Sequence, residues 1–416
     1  MYRQFATSIS FLVLFLCTSL ANAQSINRME AIRLINEAEL AVRFGDWPKA
    51  LDLYTQATLI DNNYADAFMK RAVLNERLQN YSQALSDYNT AIQLNPHSVY
   101  AYDRRSRIKI LASDYKGAIK DLQTAILIEP TNESLKESLV SEYILVGEYE
   151  NALHEIDTLI KHKYHIGDDY IKKSIIHLLK GDIQLSKMMI DTSLLINNQS
   201  PVAYDIKGLI YLQENNFNEA LSSFNRSIEL DSNFALAYYN RSIVHRLNNM
   251  QVPALTDLNK SIELSKNKSA IFFARAIVKK EMNDLNGSLE DYNQAIKIKS
   301  NYSDAIYNRS YLYKFLGNYT EAISDIDKNI SLNPKRAEGY NLKGNINMLY
   351  GNHTEAIKDY EKAIQLNPSY AEAIYNRGLA LIMSYQLMEG CNGLKEAIRL
   401  NFSPAQSMLE AFCEVH

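Results

Sequence analysis

One period constrains this chain more than any other feature. Counting from Ala31 in steps of 34 residues, eleven units run in unbroken phase to Pro404. They open at Ala31, Ala65, Val99, Glu133, Gly167, Pro201, Ala235, Ser269, Ser303, Ala337 and Ala371. Position 20 of the unit is small in all eleven, from Ala50 to Gly390, and position 24 is large in all eleven, from Tyr54 to Leu394. Position 8 is small in ten, with Val140 the exception. Spacings of four and three put positions 20, 24 and 27 on one helical face. Small residues there let two helices approach closely, and the large one fills the remaining gap. Each unit leaves an apolar face open until a neighbour stacks on it. The length of 416 residues also exceeds the size at which a single core stops growing. With 14 Gly and 8 Pro, the chain is too poor in turn residues for a loop-rich fold.

The pattern resembles the tetratricopeptide repeat family. The likeness lies in the period, the small residues at 8, 20 and 27, the aromatics at position 17 (Trp47, Tyr81, Tyr115, Tyr149, Phe217, Tyr319) and the Pro at 32 (Pro96, Pro130, Pro334, Pro368). It covers about nine-tenths of the chain. The resemblance implies an all-α fold: an α-solenoid of helix-turn-helix repeats in a right-handed superhelix, the first helix of each pair lining a concave face. The expected organisation is a signal peptide at 1–23, a short lead-in at 24–30, eleven repeats over 31–404 and a capping helix over 405–416. The stretch Met388 to Gly393 reads as an interruption of the last second helix, because two glycines fall within it. The fourth and fifth units lack the Pro at 32, and the fifth has Ser186 and Ser193 where Ala is preferred. They read as the most flexible joint, or as ordinary divergent repeats.

The first residues read as an export signal. Arg3 supplies the positive end, Ile9 to Leu20 the apolar segment, and Ala21-Asn22-Ala23 a small-x-small cleavage site. Export to a periplasmic or extracellular compartment follows, with no integral membrane segment once the signal is removed; a segment kept as an uncleaved anchor is the alternative. Cys391 and Cys413 are then the two remaining cysteines. In an oxidising compartment an even pair is a disulfide candidate, and two buried thiols are the alternative.

Charges recur within the period. Position 7 is basic in nine units, and position 23 is Asp in six. The six double occurrences are Arg71 with Asp87, Arg105 with Asp121, Arg241 with Asp257, Arg275 with Asp291, Arg309 with Asp325, and Lys343 with Asp359. A guanidinium pairs a carboxylate in bidentate fashion. The joint occurrence therefore reads as a structural ion-pair ladder, one rung per repeat, rather than as a binding stripe.

Little else carries chemistry. Nucleotide-binding glycine loops, a G-x-S-x-G elbow and an HExxH pair are all absent. His154, His162, His165 and His177 fall close together, but no carboxylate or thiol is fixed beside them, so no metal or cofactor is assigned. Sequons such as Asn240, Asn308 and Asn318 read as by-products of an Asn-rich composition. With 44 basic against 48 acidic residues, the net charge of −4 is wrong for a nucleic-acid-binding surface. The family's concave-face positions are what remain. Position 5 gives Tyr239, Phe273, Tyr307, Asn341 and Tyr375, position 9 adds Tyr311 and Asn345, and position 12 gives Arg246, Lys280 and Lys314. Aromatics in a groove offer area at low entropic cost, and the basic row favours an acidic or carboxylate-terminated segment. Packing between neighbouring first helices is the competing role for the tyrosines. The carboxylate clamp of the family's chaperone-tail-binding subset is not matched: Tyr239, Ile243, Ala274, Asp304 and Asn308 stand at its positions in units seven to nine. The sequence thus points to a non-enzymatic, exported scaffold that binds a protein segment. A spacer or oligomer-forming rod of the cell envelope is the second reading.

Overall fold

The structure, a computed structural model, describes residues 24–161 and 166–413. The signal segment at 1–23, His162 and His165, and residues 414–416 lie outside that range. The described residues form 23 helices and no strand. No described helix is long and apolar enough to cross a membrane.

The chain divides into two compact units, Met1–Asn198 and Gln199–His416. The first holds α1 (24–43), α2 (Trp47–Ile60), α3 (Ala65–Arg77), α4 (Tyr81–Leu94), α5 (Val99–Leu111), α6 (Tyr115–Ile128), α7 (Glu133–Val146), α8 (Tyr149–Lys161), α9 (Ile166–Lys180) and α10 (Ile183–Ile196). The second holds α11 (Pro201–Gln213), α12 (Phe217–Leu230), α13 (Ala235–Leu247), α14 (Gln251–Leu264), α15 (Ser269–Glu281), α16 (Leu285–Ile298), α17 (Ser303–Phe315), α18 (Tyr319–Leu332), α19 (Ala337–Tyr350), α20 (His353–Leu366), α21 (Ala371–Met383), α22 (Leu387–Arg399) and α23 (Pro404–Cys413). Within each unit, helices pack mainly on their neighbours in sequence. Residues 24–30, the expected lead-in, are the first turns of α1.

Each turn between first and second helices is built the same way. Position 15 has positive φ in all eleven repeats: Gly45, Gly147, Gly181, Gly317 and Gly351, but also Gln79, Ser113, Asn215, Asn249, Asn283 and Tyr385. A left-handed residue there lets the next N–H reach back to the carbonyl at position 11, as Asn80 does to Asn75 and Asp114 to Lys109 at 2.8 Å. Second helices open two residues later, and side chains of Asp46, Asp114 and Asp284 cap three of them.

The small positions are small because the large one sits over them. A Cβ on Gly344 would lie 2.5 Å from the Tyr360 ring, and one on Gly208 2.5 Å from the Phe224 ring. In the fifth repeat, serine in place of alanine acquires a partner across the pair. Ser174 and Ser186 bond each other at 2.9 Å, and Ser193 donates to the Gly167 carbonyl at 2.8 Å. The serines of the fifth repeat therefore keep its helices close rather than loosening them. In the last repeat the glycines do not interrupt the helix, as the sequence suggested. α22 is continuous, and Gly390 and Gly393 face Gly378 of α21. A Cβ on Gly390 would stand 2.7 Å from the Gly378 carbonyl, so these glycines permit close approach of two helices.

α23 packs on α22, and Cys413 joins the core cluster of Ile374, Leu394, Ala397 and Ala405. Cys391 and Cys413 are bridged, their Cα atoms 5.9 Å apart and 22 residues apart in sequence. Closing a loop of that size stabilises by roughly 3 kcal/mol in the chain-entropy model. Reduction with dithiothreitol, or Cys391→Ala, is expected to release α23 first, read as loss of amide protection confined to residues 387–413.

One core residue breaks the pattern. Position 10 is aliphatic in ten repeats, including Leu74, Ile108, Ile176 and Ile210. In the fourth it is Glu142, which is only 7% exposed with Oε2 bonded to nothing among the described residues. Burial pushes its carboxyl pKa up.

Candidate partner-binding face and the ion-pair ladder

Five of the six rungs are bidentate. Arg71 donates through Nε and Nη2 to the two oxygens of Asp87 at 2.9 and 2.7 Å. The same fork joins Arg105 to Asp121, Arg241 to Asp257 and Arg275 to Asp291 at 2.8 and 2.6 Å each, and Arg309 to Asp325 at 2.7 Å twice. The carboxylates are nearly inaccessible, and their hydrogen bonds hold the Arg241 guanidinium above its usual value. The sixth rung differs. Lys343 is 3.9 Å from Asp359 but 2.9 Å from Asp327, and Asp359 takes its short hydrogen bond from Asn347 at 2.7 Å. A single ammonium cannot serve both carboxylates as a guanidinium fork would. Burial lifts the Asp359 carboxyl to about 6, against the hydrogen bond and the lysine.

The ladder has members the sequence reading did not include. The free Nη1 of Arg105 donates to Asn89 at 2.7 Å, and Arg241, Arg275 and Arg309 reach Asn225, Asn259 and Asn293 in the same way. Each asparagine stands at position 25 of the preceding repeat. Where that position is acidic the base turns to it: Lys173 to Asp157, Lys343 to Asp327, Arg377 to Glu361. Seven position-7 bases thus reach position 25 of the repeat before, and Arg71 reaches Thr58 of the first repeat at 2.8 Å. Position 11 adds Lys109 on Asp121 and Lys279 on Asp291, at 2.8 and 2.9 Å. The signal available was co-occurrence of positions 7 and 25, sixteen residues apart across a repeat boundary.

The first-helix face of the second unit shows how the other predicted residues are used. Tyr239 packs on Leu258 and Ile271. Phe273 lies 5.1 Å from Tyr302 and 6.0 Å from Tyr292 between ring centroids. Tyr307 packs on Ile326 and Leu342, and Tyr375 lies 5.1 Å from Phe402. These four are half-buried against neighbouring helices. Asn341 is 4% exposed. It donates to the Tyr370 hydroxyl and to Glu372, and accepts from Asn376, each at 3.2 Å. Asn345 accepts from Asn376 at 3.0 Å and from the Tyr360 hydroxyl at 2.8 Å. Asn376 is the member of this amide set that the sequence reading missed. Arg246 is engaged by Glu281 at 2.9 Å. Tyr311 is different, being exposed, with the Lys314 ammonium 4.3 Å and the Lys280 ammonium 5.7 Å from its ring centre.

Two sequons are engaged in the fold. Asn240 is buried and donates to both oxygens of Asp205 at 2.9 and 3.0 Å, and Asn308 donates to the Asp304 carbonyl at 2.8 Å. Burial pushes the Asp205 carboxyl from 3.8 to about 6, with the Asn240 hydrogen bond opposing. The folded state thus favours the protonated form. The stability this contributes is complete below about pH 4 and is lost as pH rises through about 6. Asp205→Asn should therefore leave stability unchanged at pH 4 and raise it by about 2–3 kcal/mol at pH 7.5. Urea titrations of both proteins at the two pH values check this. Among the described residues no group of three or more His, Cys, Asp or Glu side chains comes together as a metal site.

Stacked helix pairs with this internal register define an α-solenoid repeat protein. Family profiles described as tetratricopeptide repeat match residues 35–99 and 303–336, and one described as TPR repeat matches residues 208–247 and 344–383. The chain is a tetratricopeptide repeat protein. No curated protein sequence matches it. Among solved structures it is similar to the APC/C hetero-tetramer Cut9–Hcn1, at 14% identity over 96% of this chain and 88% of that one, with a TM-score of 0.50. It is also similar to yeast Tom70 (16% identity, 92% and 95% covered, TM-score 0.43) and to a tetratricopeptide repeat protein from Parabacteroides merdae (18% identity, 59% and 98% covered, TM-score 0.45). At these identities the likeness concerns the fold.

Proposed function

We propose that this chain is a non-enzymatic interaction scaffold, exported from the cytoplasm, that holds a segment of another protein against the first helices of repeats seven to eleven. One observation carries the reading. On a face where Tyr239, Phe273, Tyr307, Asn341, Tyr375 and Arg246 are engaged within the fold, Tyr311 is exposed, with the half-buried Lys280 and Lys314 beside its ring. Rigid aromatic and cationic side chains on regular helices are what a binding surface needs. Export supplies the oxidising compartment in which the Cys391–Cys413 bridge persists. Tyr311→Ala is the test, because the ring is 43% exposed and its loss should cost under about 0.5 kcal/mol of stability. Capture of partner from the envelope fraction of the source cells should fall at least tenfold with an unchanged unfolding midpoint; equal capture by variant and parent would remove this face from the function.

A second reading, a rod that associates through its second helices, is favoured by one feature of the first unit. Leu59, Leu127 and Leu195 occupy position 29 of alternate repeats and are 77, 81 and 88% exposed. Light scattering across a hundredfold concentration range distinguishes the two: constant mass supports the scaffold, and rising mass the rod.

A further inference from the structure

The chemistry of the segment follows from what the second unit leaves unsatisfied, and it rests on the scaffold reading above. Lys280 and Lys314 converge on the one ring of Tyr311, and among the described residues neither ammonium has a carboxylate within 4.0 Å. The other basic residue of this row, Arg246, already has Glu281. Burial pulls the Lys314 ammonium below its usual value, with Glu372 pulling the other way from farther off. Two cations held beside one aromatic ring, one of them partly desolvated, form a site that gains most from an added carboxylate.

Apolar surface lies on both sides of this pair. Leu247 of repeat seven is 46% exposed on one side. On the other, Phe315, Leu349 and Met383 stand at position 13 of three consecutive repeats, at 68, 57 and 55% exposure. Leu349 also borders a cavity of about 340 Å³ whose apolar wall is Met348, Leu349 and Leu379 and whose polar wall is Lys314, Asn345, Tyr360, Glu372 and Asn376, so the acidic group of a ligand belongs on the Lys280 side, away from Glu372. An aliphatic or aromatic side chain fits such a recess, whose amides are held by one another and by the Tyr360 hydroxyl.

We propose that the occupant is an internal segment of a partner protein. It places an Asp or Glu between Lys280 and Lys314, and bulky apolar residues on either side, one of them in the Met348–Leu349–Leu379 recess. An internal segment is favoured over a chain terminus because the apolar surface continues past the lysines in both directions. A terminal carboxylate held there would leave one side uncovered.

The test is selection of a phage-displayed random dodecapeptide library on the purified full-length chain, at 150 mM NaCl. Each peptide is followed by a fixed Gly-Ser linker, so that none has a free carboxyl terminus. The expected result is enrichment of sequences with Asp or Glu flanked by Leu, Ile, Phe or Met. On the double variant Lys280→Gln, Lys314→Gln the acidic enrichment disappears while the apolar enrichment persists. A fluorescein-labelled synthetic peptide of the enriched sequence should bind the parent at least tenfold more tightly than the double variant. Apolar enrichment without acid, or acidic enrichment that survives in the double variant, overturns the proposal and leaves the groove reading standing. Enrichment of nothing on either protein overturns both. Far-ultraviolet circular dichroism of the double variant checks its fold. If it is unfolded, Lys280→Ala alone takes its place, and the same loss of acidic preference is required.

Discussion

Arg309→Leu is expected to destabilise the second unit by about 3–5 kcal/mol, the range for breaking a buried ion pair from one side. Asp325 is 6% exposed and takes both of its short hydrogen bonds from this guanidinium. With leucine in place, its charge stays buried with no counter-ion, and Asn293 loses its donor as well. Asp325→Leu leaves the converse orphan, a half-buried guanidinium that can swing toward water and so costs less. The double change Arg309→Leu, Asp325→Leu removes both charges and refills the space with apolar volume. It should recover most of the loss, giving a coupling of at least about 2 kcal/mol in a urea double-mutant cycle. Additive losses would mean that the two residues contribute independently and that the fork fixes nothing. Lys343 and Asp359 are the natural control, since that rung is already loose. There the same cycle should show a coupling of only about 0.5–1 kcal/mol, because Lys343 stands 3.9 Å from Asp359 and makes its short contact with Asp327.

The second large effect runs the other way. Glu142→Ile should stabilise the first unit by about 2–3 kcal/mol at pH 7.5. The substitution removes a buried carboxyl whose Oε2 has no partner among the described residues, worth roughly 1–3 kcal/mol, and adds only about 0.8 kcal/mol per further buried carbon, since the Glu142 methylenes are already buried. It also restores the residue type that position 10 has in the other ten repeats. Because burial raises the Glu142 pKa, the neutral form is the one the folded state favours. The gain should therefore shrink as pH falls toward the usual carboxylate range, where the parent protein also carries a neutral side chain. Urea titrations at pH 7.5 and 4.5 would show it. A variant no more stable than the parent at pH 7.5 would mean that Glu142 finds a partner in solution.

What the sequence made legible follows from how its information is stored. Size at positions 8, 20, 24 and 27 is written along the chain with one period, so the helix pairs and their closest contacts could be read before any coordinates. The Arg–Asp forks were legible for the same reason, since both partners repeat. The position-25 asparagines were not. Asn225 or Asn293 looks like an ordinary surface residue until its partner is seen to lie in the next repeat. The left-handed turn at position 15 was hidden because five residue types occupy it, among them Tyr385. Gly390 and Gly393 were misread as an interruption because glycine in a helix lowers propensity, whereas here the missing Cβ lets α21 and α22 close on each other. On the first-helix face the positions were legible but their use was not. Arg246 cannot be separated from Lys280 and Lys314 by sequence alone, because its engagement depends on Glu281 in the repeat that follows.

The bases that reach back to position 25 give the array an unusual kind of seam. In most repeat stacks the joint between neighbours is apolar area, which salt strengthens or leaves alone. Here, among the described residues, a charged base reaches position 25 across seven of the joints. Those contacts lie near the surface, where ions screen them. Ionic strength should then set how many repeats open together. Pulled from its ends in dilute buffer, each compact unit should yield in a few large steps. At molar salt it should ravel in smaller ones, its length at a given force tracking the ionic composition of the surroundings.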